Sequence, residues 1–201
     1  VRVNLVFFNH WLAPKLAIFR SQHPDIGLRC TSNIWVAEPD KEADVEIRYG
    51  KGLWPGFTSN RLTWDDLIPV CSPILLDEKQ PPASPAELSE HTLLHVIGYE
   101  EGWGFWLNQL GHPEGDSSQG VHFDSLMTAM EMAALGHGVA LSRTSLAANM
   151  LASGRLIAPF DKPVATAESF FLANPVNQHS HPHVEAFRYW LIEQAEMDMP
   201  R

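Results

Sequence analysis

The sequence predicts an α/β fold with largely parallel sheets. Short β-branched runs alternate with amphipathic helical segments along the whole chain, which is typical of strand–helix–strand units. Gly and Pro stop most of these runs, as they do at element boundaries. With 201 residues, of which 45% are apolar and 19% charged, the chain is long enough to bury a core as one large domain or as two small lobes.

Five strands and one helix are predicted in the first part of the chain. An amphipathic helix is expected over residues 11–22, because Leu12, Leu16 and Phe19 recur at helical spacing and Pro14 is tolerated in a first turn. The strands are predicted at residues 1–8, 26–31, 45–48, 61–64 and 67–71.

The second part of the chain continues the alternation. Asp124 is a good N-cap for a helix over residues 124–136, and Gly136 and Gly138 close that helix. Pro182 opens a final helix with apolar residues on its inner face. Strands are predicted at residues 92–97, 121–123, 139–141, 156–158 and 168–173, and further helices at 103–110 and 146–151.

Charge and cysteine content exclude several classes of function. The formal net charge of −10 repels phosphate, so these residues are not expected to bind nucleic acid themselves. Cys30 and Cys71 are interpreted as reduced thiols of a cytoplasmic protein. No charged-then-apolar segment is recognised at the start of these residues, so a secretory leader is not expected here, and no apolar run approaches membrane-spanning length. A chain that begins at Val1 inside a strand-like run is interpreted as an excised domain.

Several fragments, in order, carry a family resemblance that covers nearly the whole chain. They read WLAPKL at 11–16, ADVEIRYG at 43–50, WPG at 54–56, LIPVCSPILL at 67–76, GHGVAL at 136–141, LASGRL at 151–156 and AFRYWL at 186–191. Together they resemble the effector-binding domain of LysR-type transcriptional regulators, especially the subgroup of the glycine-cleavage and β-lactamase regulators.

The resemblance implies two Rossmann-like lobes joined by two crossover strands, as in type 2 periplasmic binding proteins. Lobe I would comprise residues 1–72 and 173–201, and lobe II residues 73–172. The effector would lie in the cleft between them, which agrees with the general preference of ligands for the carboxyl ends of parallel strands. The family's winged helix-turn-helix domain would precede Val1 and is absent from this chain.

Candidate effector contacts in lobe I follow the predicted strand ends. A helix N-terminus there favours an anionic group such as a carboxylate. Thr31 and Ser32 match the family's cleft-facing hydroxyls, although a turn cap explains them equally well, and Tyr49 is equally a packed core residue. The candidates are Phe8, Asn9, His10, Thr31, Ser32, Tyr49 and Gly50.

Lobe II offers a second set of candidates. A carboxylate near the strand end would receive a ligand ammonium group, which favours an amino-acid-like effector. Ser125, at the second helix N-terminus, is the strongest single candidate, whereas Asp124 is also explained as a structural cap. The set comprises His95, Tyr99, Glu101, Trp103, Phe123, Asp124 and Ser125.

The sequence therefore predicts a sensing domain that binds a small carboxylate or amino-acid-like effector, with no enzymatic activity, no cofactor and no metal. No Gly-x-Ser-x-Gly, Walker, Cys-x-x-Cys or His-Glu-x-x-His motif occurs. His179, His181 and His183 are interpreted as surface residues, not metal ligands. A transport solute-binding protein of the same bilobal fold, or an interaction module without a ligand, is the alternative.

The resemblance also implies the partners. The effector domain would form a homodimer, with the helix at residues 11–22 of one chain against the helix at 124–136 of the other. The full-length protein would be a tetramer. DNA would be contacted only through the missing N-terminal domain, there would be no membrane partner, and the protein would be cytoplasmic.

Overall fold

A computed structural model describes residues 1–34, 43–75, 84–113, 119–176 and 181–199. The chain divides into two compact units. Unit 1 comprises Val1–Trp64 and Ala167–Arg201, and unit 2 comprises Asp65–Thr166. The chain thus passes between the units at 64/65 and 166/167, where the sequence had placed these crossings at 72/73 and 172/173.

Unit 1 is built on a five-stranded mixed sheet of order β2-β1-β3-β10-β4. Strands β1, β2 and β3 run parallel, while β10 runs antiparallel to both β3 and β4. The parallel strands are β1 (Arg2–Asn4), β2 (Thr31–Asn33) and β3 (Glu46–Gly50), and the other two are β4 (Phe57–Arg61) and β10 (Ser169–Pro175).

The first helix, here called α1, begins at Leu5. It consists of an α-helical turn at Leu5–Phe7, a π-helical turn at Phe8–Leu12, a 3-10 turn at Ala13–Lys15 and an α-helix at Leu16–Gln22. The prediction that the first strand extends to residue 8 is wrong. The Asn4 side chain accepts a hydrogen bond from the Val6 N–H at 3.0 Å and caps the helix at once. Pro14 has no N–H to donate to the helix ladder. The N–H of the preceding Ala13 bonds to the Phe8 carbonyl, five residues back, which is the π-helical spacing.

Aromatic side chains fill the core of unit 1. Phe7 packs on Phe170 with ring centroids 4.6 Å apart, and Phe19 packs on Phe187 at 4.9 Å. All four rings are almost completely buried. Phe187 belongs to the last helix, α5 (Pro182–Met197), so this helix, which begins at the predicted proline, closes the core beside α1.

Unit 2 has a second five-stranded mixed sheet, of order β7-β6-β8-β5-β9. Strand β6 runs parallel to β7 and β8, and β5 runs antiparallel to β8 and β9. Two predicted strands differ from the structure. The strand predicted at 61–64 lies earlier in the chain, as β4 of unit 1, and the strand predicted at 156–158 is reduced to a single bridge between Ile157 and Cys71. The strands are β5 (Asp66–Val70), β6 (Leu93–Val96), β7 (Val121–Phe123), β8 (Val139–Arg143) and β9 (Val164–Ala165).

Helices of unit 2 cover its sheet and complete its core. They are α2 (Trp103–Gln109), α3 (Leu126–Ala134) and α4 (Thr144–Ala152), and a 3-10 helix spans Pro85–Glu90. Trp106 of α2 is fully buried and its Nε1 donates to the Lys162 carbonyl at 3.1 Å. Gly138 precedes β8 with φ +152°, and a Cβ there would lie 2.3 Å from the Thr92 carbonyl oxygen, so only glycine fits this approach.

Both cysteines are free thiols. Cys71 is fully buried in unit 2, and burial raises its pKa to about 11, which keeps the thiol protonated and unreactive at neutral pH. Cys30, in unit 1, is partly exposed. Across the described ranges, the helices are too short or too polar to cross a bilayer.

Candidate functional site

Polar side chains collect at one edge of the unit 2 sheet, where its parallel strands end. Because β6, β7 and β8 are parallel, their carboxyl ends meet at the same edge. Tyr99 and Glu101 follow β6, Ser125 follows β7, and Arg143 is the last residue of β8. This is the edge at which open α/β sheets bind ligands.

Arg143 and Tyr99 form a stacked pair at this edge. The guanidinium carbon lies 3.6 Å from the centroid of the Tyr99 ring. Arg143 is only 1% exposed, so the ring shields a charge that would otherwise be well hydrated, and the contact is a close cation–π interaction. The sequence predicted Tyr99 as a site residue but missed Arg143.

Hydrogen bonds hold two carboxylates, those of Glu101 and Asp65, at the same edge. Thr166, beside β9, donates a hydrogen bond from Oγ1 to the Glu101 carboxylate. Asp65 accepts bonds from the Ser145 N–H at 2.8 Å and the Thr144 hydroxyl at 3.3 Å, and so caps the N-terminus of α4. Both Asp65 and Thr166 are buried and stand where the chain passes between the units.

Ser125, not Asp124, is the N-cap residue of α3. It has extended backbone angles, φ −133° and ψ 130°, and its side chain makes no capping hydrogen bond. It is 6% exposed. The prediction that Asp124 caps this helix is wrong, because the helix starts one residue later than expected. A nearly buried hydroxyl that does not serve the helix is suited to bond a ligand at the positive end of the α3 dipole.

His95, Trp103 and Phe123 occupy different environments from Ser125. Trp103 is a core residue of α2, and its Nε1 donates to the Leu94 carbonyl at 3.2 Å. Phe123 ends β7, and its carbonyl accepts from the Ile97 N–H at 2.8 Å. His95 stacks on His122 across the β6–β7 pair, with ring centroids 4.4 Å apart.

Its environment favours the neutral form of the His95 imidazole. Burial lowers its pKa, the neighbouring His122 lowers it further, and the bond to the Gln119 carbonyl at 3.1 Å opposes both effects. Desolvation is the largest of these causes because the charged form of a half-buried imidazole loses hydration. His95 is therefore a pH-sensitive group of unit 2.

At the carboxyl edge of the unit 1 sheet, Tyr49 contacts a buried acid. Its hydroxyl bonds to Glu168 Oε2 at 3.2 Å, and its ring packs on Phe170 at 4.9 Å. Glu168 is 5% exposed and precedes β10, whose Ser169 pairs with Gly50. The sequence predicted Tyr49 and Gly50 here but missed Glu168.

The other candidates in unit 1 do not all reach this edge. Phe8, Asn9 and His10 lie within α1, and Asn9 Nδ2 bonds to the Leu5 carbonyl at 2.8 Å. Thr31 begins β2 opposite Arg2 instead of ending a strand over 26–31, and it lies at the amino edge of the sheet. Ser32 follows it and is exposed.

A cavity of about 430 Å³ opens at that amino edge of unit 1. Its lining includes Arg29, Thr31, Asp44, His181 and Phe187. His181 and His183 contact each other edge to face at 4.6 Å, and His179 lies outside the described residues. Among the residues that the structure describes, no three His, Cys, Asp or Glu side chains are grouped so that they could hold a metal.

Comparison with known proteins identifies the family. Residues 2–196 match the model of the LysR substrate binding domain. The chain is 33% identical over 198 residues to the glycine cleavage system transcriptional activator of Escherichia coli K12, and this match covers 97% of the chain and 64% of the relative. It is 34% identical over 196 residues to the transcriptional activator AmpR of Rhodobacter capsulatus, with 97% of the chain and 66% of the relative covered.

A solved structure gives the same result. The effector domain of AmpR from Pseudomonas aeruginosa superposes with a TM-score of 0.85 at 30% identity, covering 98% of this chain and 94% of the other. The chain belongs to the LysR substrate-binding domain family and is an effector-binding domain of the LysR type. Both the predicted resemblance and the predicted fold class are confirmed. The chain spans only about 64% of the length of the E. coli relative.

Proposed function

We propose that this chain senses a small carboxylate or amino-acid-like effector for a cytoplasmic LysR-type transcriptional regulator, and that it binds the effector without transforming it. The effector would contact the carboxyl edge of the parallel strands in unit 2, where Ser125 stands. Its different affinity for two arrangements of the protein would shift their populations and so control transcription. DNA would be contacted by a part of the protein outside this chain.

The state of Ser125 carries the proposal. It stands at the N-terminus of α3, nearly buried, with a hydroxyl that does not cap the helix. Buried hydroxyls in proteins are usually hydrogen-bonded, and the end of a helix with free N–H groups favours an anion. A ligand carboxylate would satisfy both groups at once. The relatives are transcriptional activators, which favours a sensor over a transport receptor or an enzyme.

Isothermal titration against a panel of amino acids and organic acids tests the proposal. We expect at least one compound to bind the wild-type chain and to lose measurable binding in Ser125→Glu, because the added carboxylate repels the ligand and fills its place. Ser153→Glu is the matched control. It adds the same charge next to a different helix of unit 2, because Ser153 follows the C-terminus of α4, whereas Ser125 precedes the N-terminus of α3. Uniformly silent titrations would favour an interaction module, and unchanged affinity in Ser125→Glu would remove Ser125 from the site.

We further propose a side-by-side homodimer through α1 of one chain and α3 of another, with a tetramer for the full-length protein. Most apolar residues of these helices are already used by the cores, such as Phe19 and Met130. Ile18 of α1 and Leu135, which directly follows α3, remain 46% and 65% exposed. Light scattering should show that Ile18→Lys lowers the mass from dimer to monomer; an unchanged mass would argue against this interface.

A further inference from the structure

We propose that the cavity at the amino edge of the unit 1 sheet binds a free amino acid with an apolar side chain. Arg29 would hold the carboxylate of this amino acid, and Asp44 would hold its ammonium group. The site lies within unit 1 and uses none of the residues at the carboxyl edge of unit 2. It is therefore separate from the effector site proposed around Ser125 and does not depend on it.

The strand register places the two charged residues on either side of β1. The sheet has the order β2-β1-β3 at this side, and Thr31 of β2 and Glu46 of β3 both pair with Arg2 of β1. Arg29 and Asp44 each stand two residues before those partners. Because neighbouring strands are about 4.8 Å apart, the two backbones are roughly 10 Å apart here. The two side chains can therefore approach one small molecule from opposite sides.

Opposite charges distinguish this cavity from a site for a simple acid or a simple amine. Among the described residues that line it, an arginine and an aspartate, Arg29 and Asp44, carry charged side chains, with two histidines beside them. A guanidinium donates to a carboxylate in a two-pronged geometry, and a carboxylate accepts from an ammonium group. An α-amino acid carries both groups on one carbon atom. The lining therefore favours a zwitterion.

The apolar floor of the cavity comes from the core of unit 1. Val45 and Phe187 line the cavity and are 3% and 2% exposed, and Leu28 and Val184 extend this apolar surface. Small-molecule pockets combine such surfaces with a few polar groups and have volumes of about 300–1,000 Å³. At about 430 Å³, the cavity has the size for one amino acid whose side chain packs on this floor.

The first turn of α5 adds a hydrogen-bond donor to the lining. His181 Nδ1 accepts from the His183 N–H at 3.2 Å. This nitrogen therefore carries no proton, and the neutral ring carries its proton on Nε2. Both imidazoles line the cavity. A ring in this tautomer can donate to the carboxylate that Arg29 binds, so His181 supports recognition of the same ligand group.

Calorimetry with matched ligands tests the need for a zwitterion in the wild-type chain. The probes are L-leucine and L-phenylalanine, their amides, which lack the carboxylate, and 4-methylpentanoate and 3-phenylpropanoate, which lack the ammonium group. We expect the amino acid to bind at least about tenfold more tightly than either analogue, because each analogue loses one charge-assisted bond. Equal affinities of an amino acid and its analogues would overturn the inference.

A second control concerns the amine of Val1, which also lines the cavity and donates to the Arg29 carbonyl at 2.7 Å. Acetylation of this amine should leave the affinity for leucine unchanged. Loss of binding on acetylation would mean that the terminal amine, and not Arg29, holds the ligand carboxylate, which contradicts the inference.

Methyl NMR locates the ligand without any variant. We expect L-leucine to shift the methyl resonances of Val45 and Val184, which line the cavity. The methyl resonances of Leu126, which follows Ser125 in the chain, should not move. Shifts at Leu126 alone would place the amino acid at the proposed effector site and would exclude the second site.

Variants assign the two charges. Arg29→Met and Asp44→Asn should each weaken leucine binding at least about tenfold, with the fold checked by thermal unfolding. Both side chains are exposed, so neither substitution removes a core contact. Arg20→Met is the matched control, because Arg20 is an exposed arginine of α1 outside the cavity lining. This variant should bind leucine as the wild type does.

The outcomes separate the second site from the proposed function. Leucine binding that is kept in Ser125→Glu and lost in Arg29→Met supports the second site. The reverse result would overturn the second site and leave the proposed function standing. Silence of both amino acids with the wild-type chain would also overturn the second site, whereas binding of an organic acid that depends on Ser125 would still support the proposed function.

Discussion

Arg48 in unit 1 and Arg143 in unit 2 are both buried arginines stacked on aromatic rings, yet they stand at different points of their strands. Arg48 lies within β3 at 3% exposure, with its guanidinium 4.3 Å from the Phe57 ring. Its Nε and Nη2 donate to Glu46 Oε2 at 2.8 and 2.6 Å. Arg143 ends β8 at the carboxyl edge, stacked on Tyr99.

The difference shows that a buried guanidinium is held in two ways in this protein. Residues two apart on a strand face the same side, so Glu46 neutralises Arg48 from within the same strand. At the end of β8 the Arg143 guanidinium is covered instead by the ring of Tyr99, which follows a neighbouring strand. We therefore expect changes at Arg48 to alter stability.

The largest effect is expected for Arg48→Met. The substitution removes the Arg48 cation from the buried Glu46 carboxylate, and breaking a buried ion pair costs about 3–5 kcal/mol. Urea denaturation should show this loss in the free energy of unfolding, with carboxylate binding unchanged in the folded fraction. The double variant Glu46→Leu with Arg48→Met is the control and should recover much of the stability. A loss below about 1 kcal/mol in the single variant would mean that the pair behaves like a surface pair.

A smaller effect is expected for Thr166→Val, which tests whether the edge of unit 2 is held by its polar contacts. The substitution removes the hydroxyl that donates to Glu101 and should cost about 1 kcal/mol, the net value of an ordinary hydrogen bond. Thermal unfolding measures the loss. Thr58→Val is the matched control, because Thr58 is exposed and its bond to the Asn174 carbonyl is long, at 3.4 Å. Equal effects of the two substitutions would contradict the prediction.

A histidine loses its proton near neutral pH, whereas a buried arginine stays charged. We therefore expect His95 to make the stability of unit 2 depend on pH. Burial first, and His122 second, lower the pKa of His95 in the folded protein. The unfolded chain therefore binds a proton more readily as pH falls below about 6.5, and stability is lost from there down to the folded pKa. Unfolding followed from pH 7.5 to 5 should show a flatter profile for His95→Gln than for the wild type. His137→Gln, at an exposed position outside the stack, should keep the wild-type slope, and an identical slope in both variants would exclude His95 as the cause.

The smallest effect is expected for Arg155→Ala. Arg155 and Glu131 form an ion pair at 2.6 Å, but their side chains are 52% and 45% exposed. Exposed pairs contribute about 0–1 kcal/mol, so the urea midpoint should hardly move. A loss as large as that of Arg48→Met would show that burial does not distinguish the arginines of this protein.

Local patterns in the sequence were enough to place most elements. Strand β7 and the start of α5 at Pro182 stand where they were predicted, because β-branched runs and an N-terminal proline act through the nearest residues. The family and fold class followed from fragments spread over the whole chain. The boundaries of elements were less reliable. The first strand ends at Asn4 and not at residue 8, and the N-cap residue of α3 is Ser125 and not Asp124.

The sequence alone determined the alternation of strands and helices and the family, and it predicted the candidates Tyr49 and Ser125 at or near the ends of strands. Only the tertiary structure decided that Thr31 begins its strand, and that Arg143 and Glu168 stand at the carboxyl edges. The reason is that these positions are set by pairing between strands distant in the chain, such as β3 with β10 and β5 with β8. Hydrophobic periodicity specifies which face of a strand is buried, but not where its neighbours begin and end.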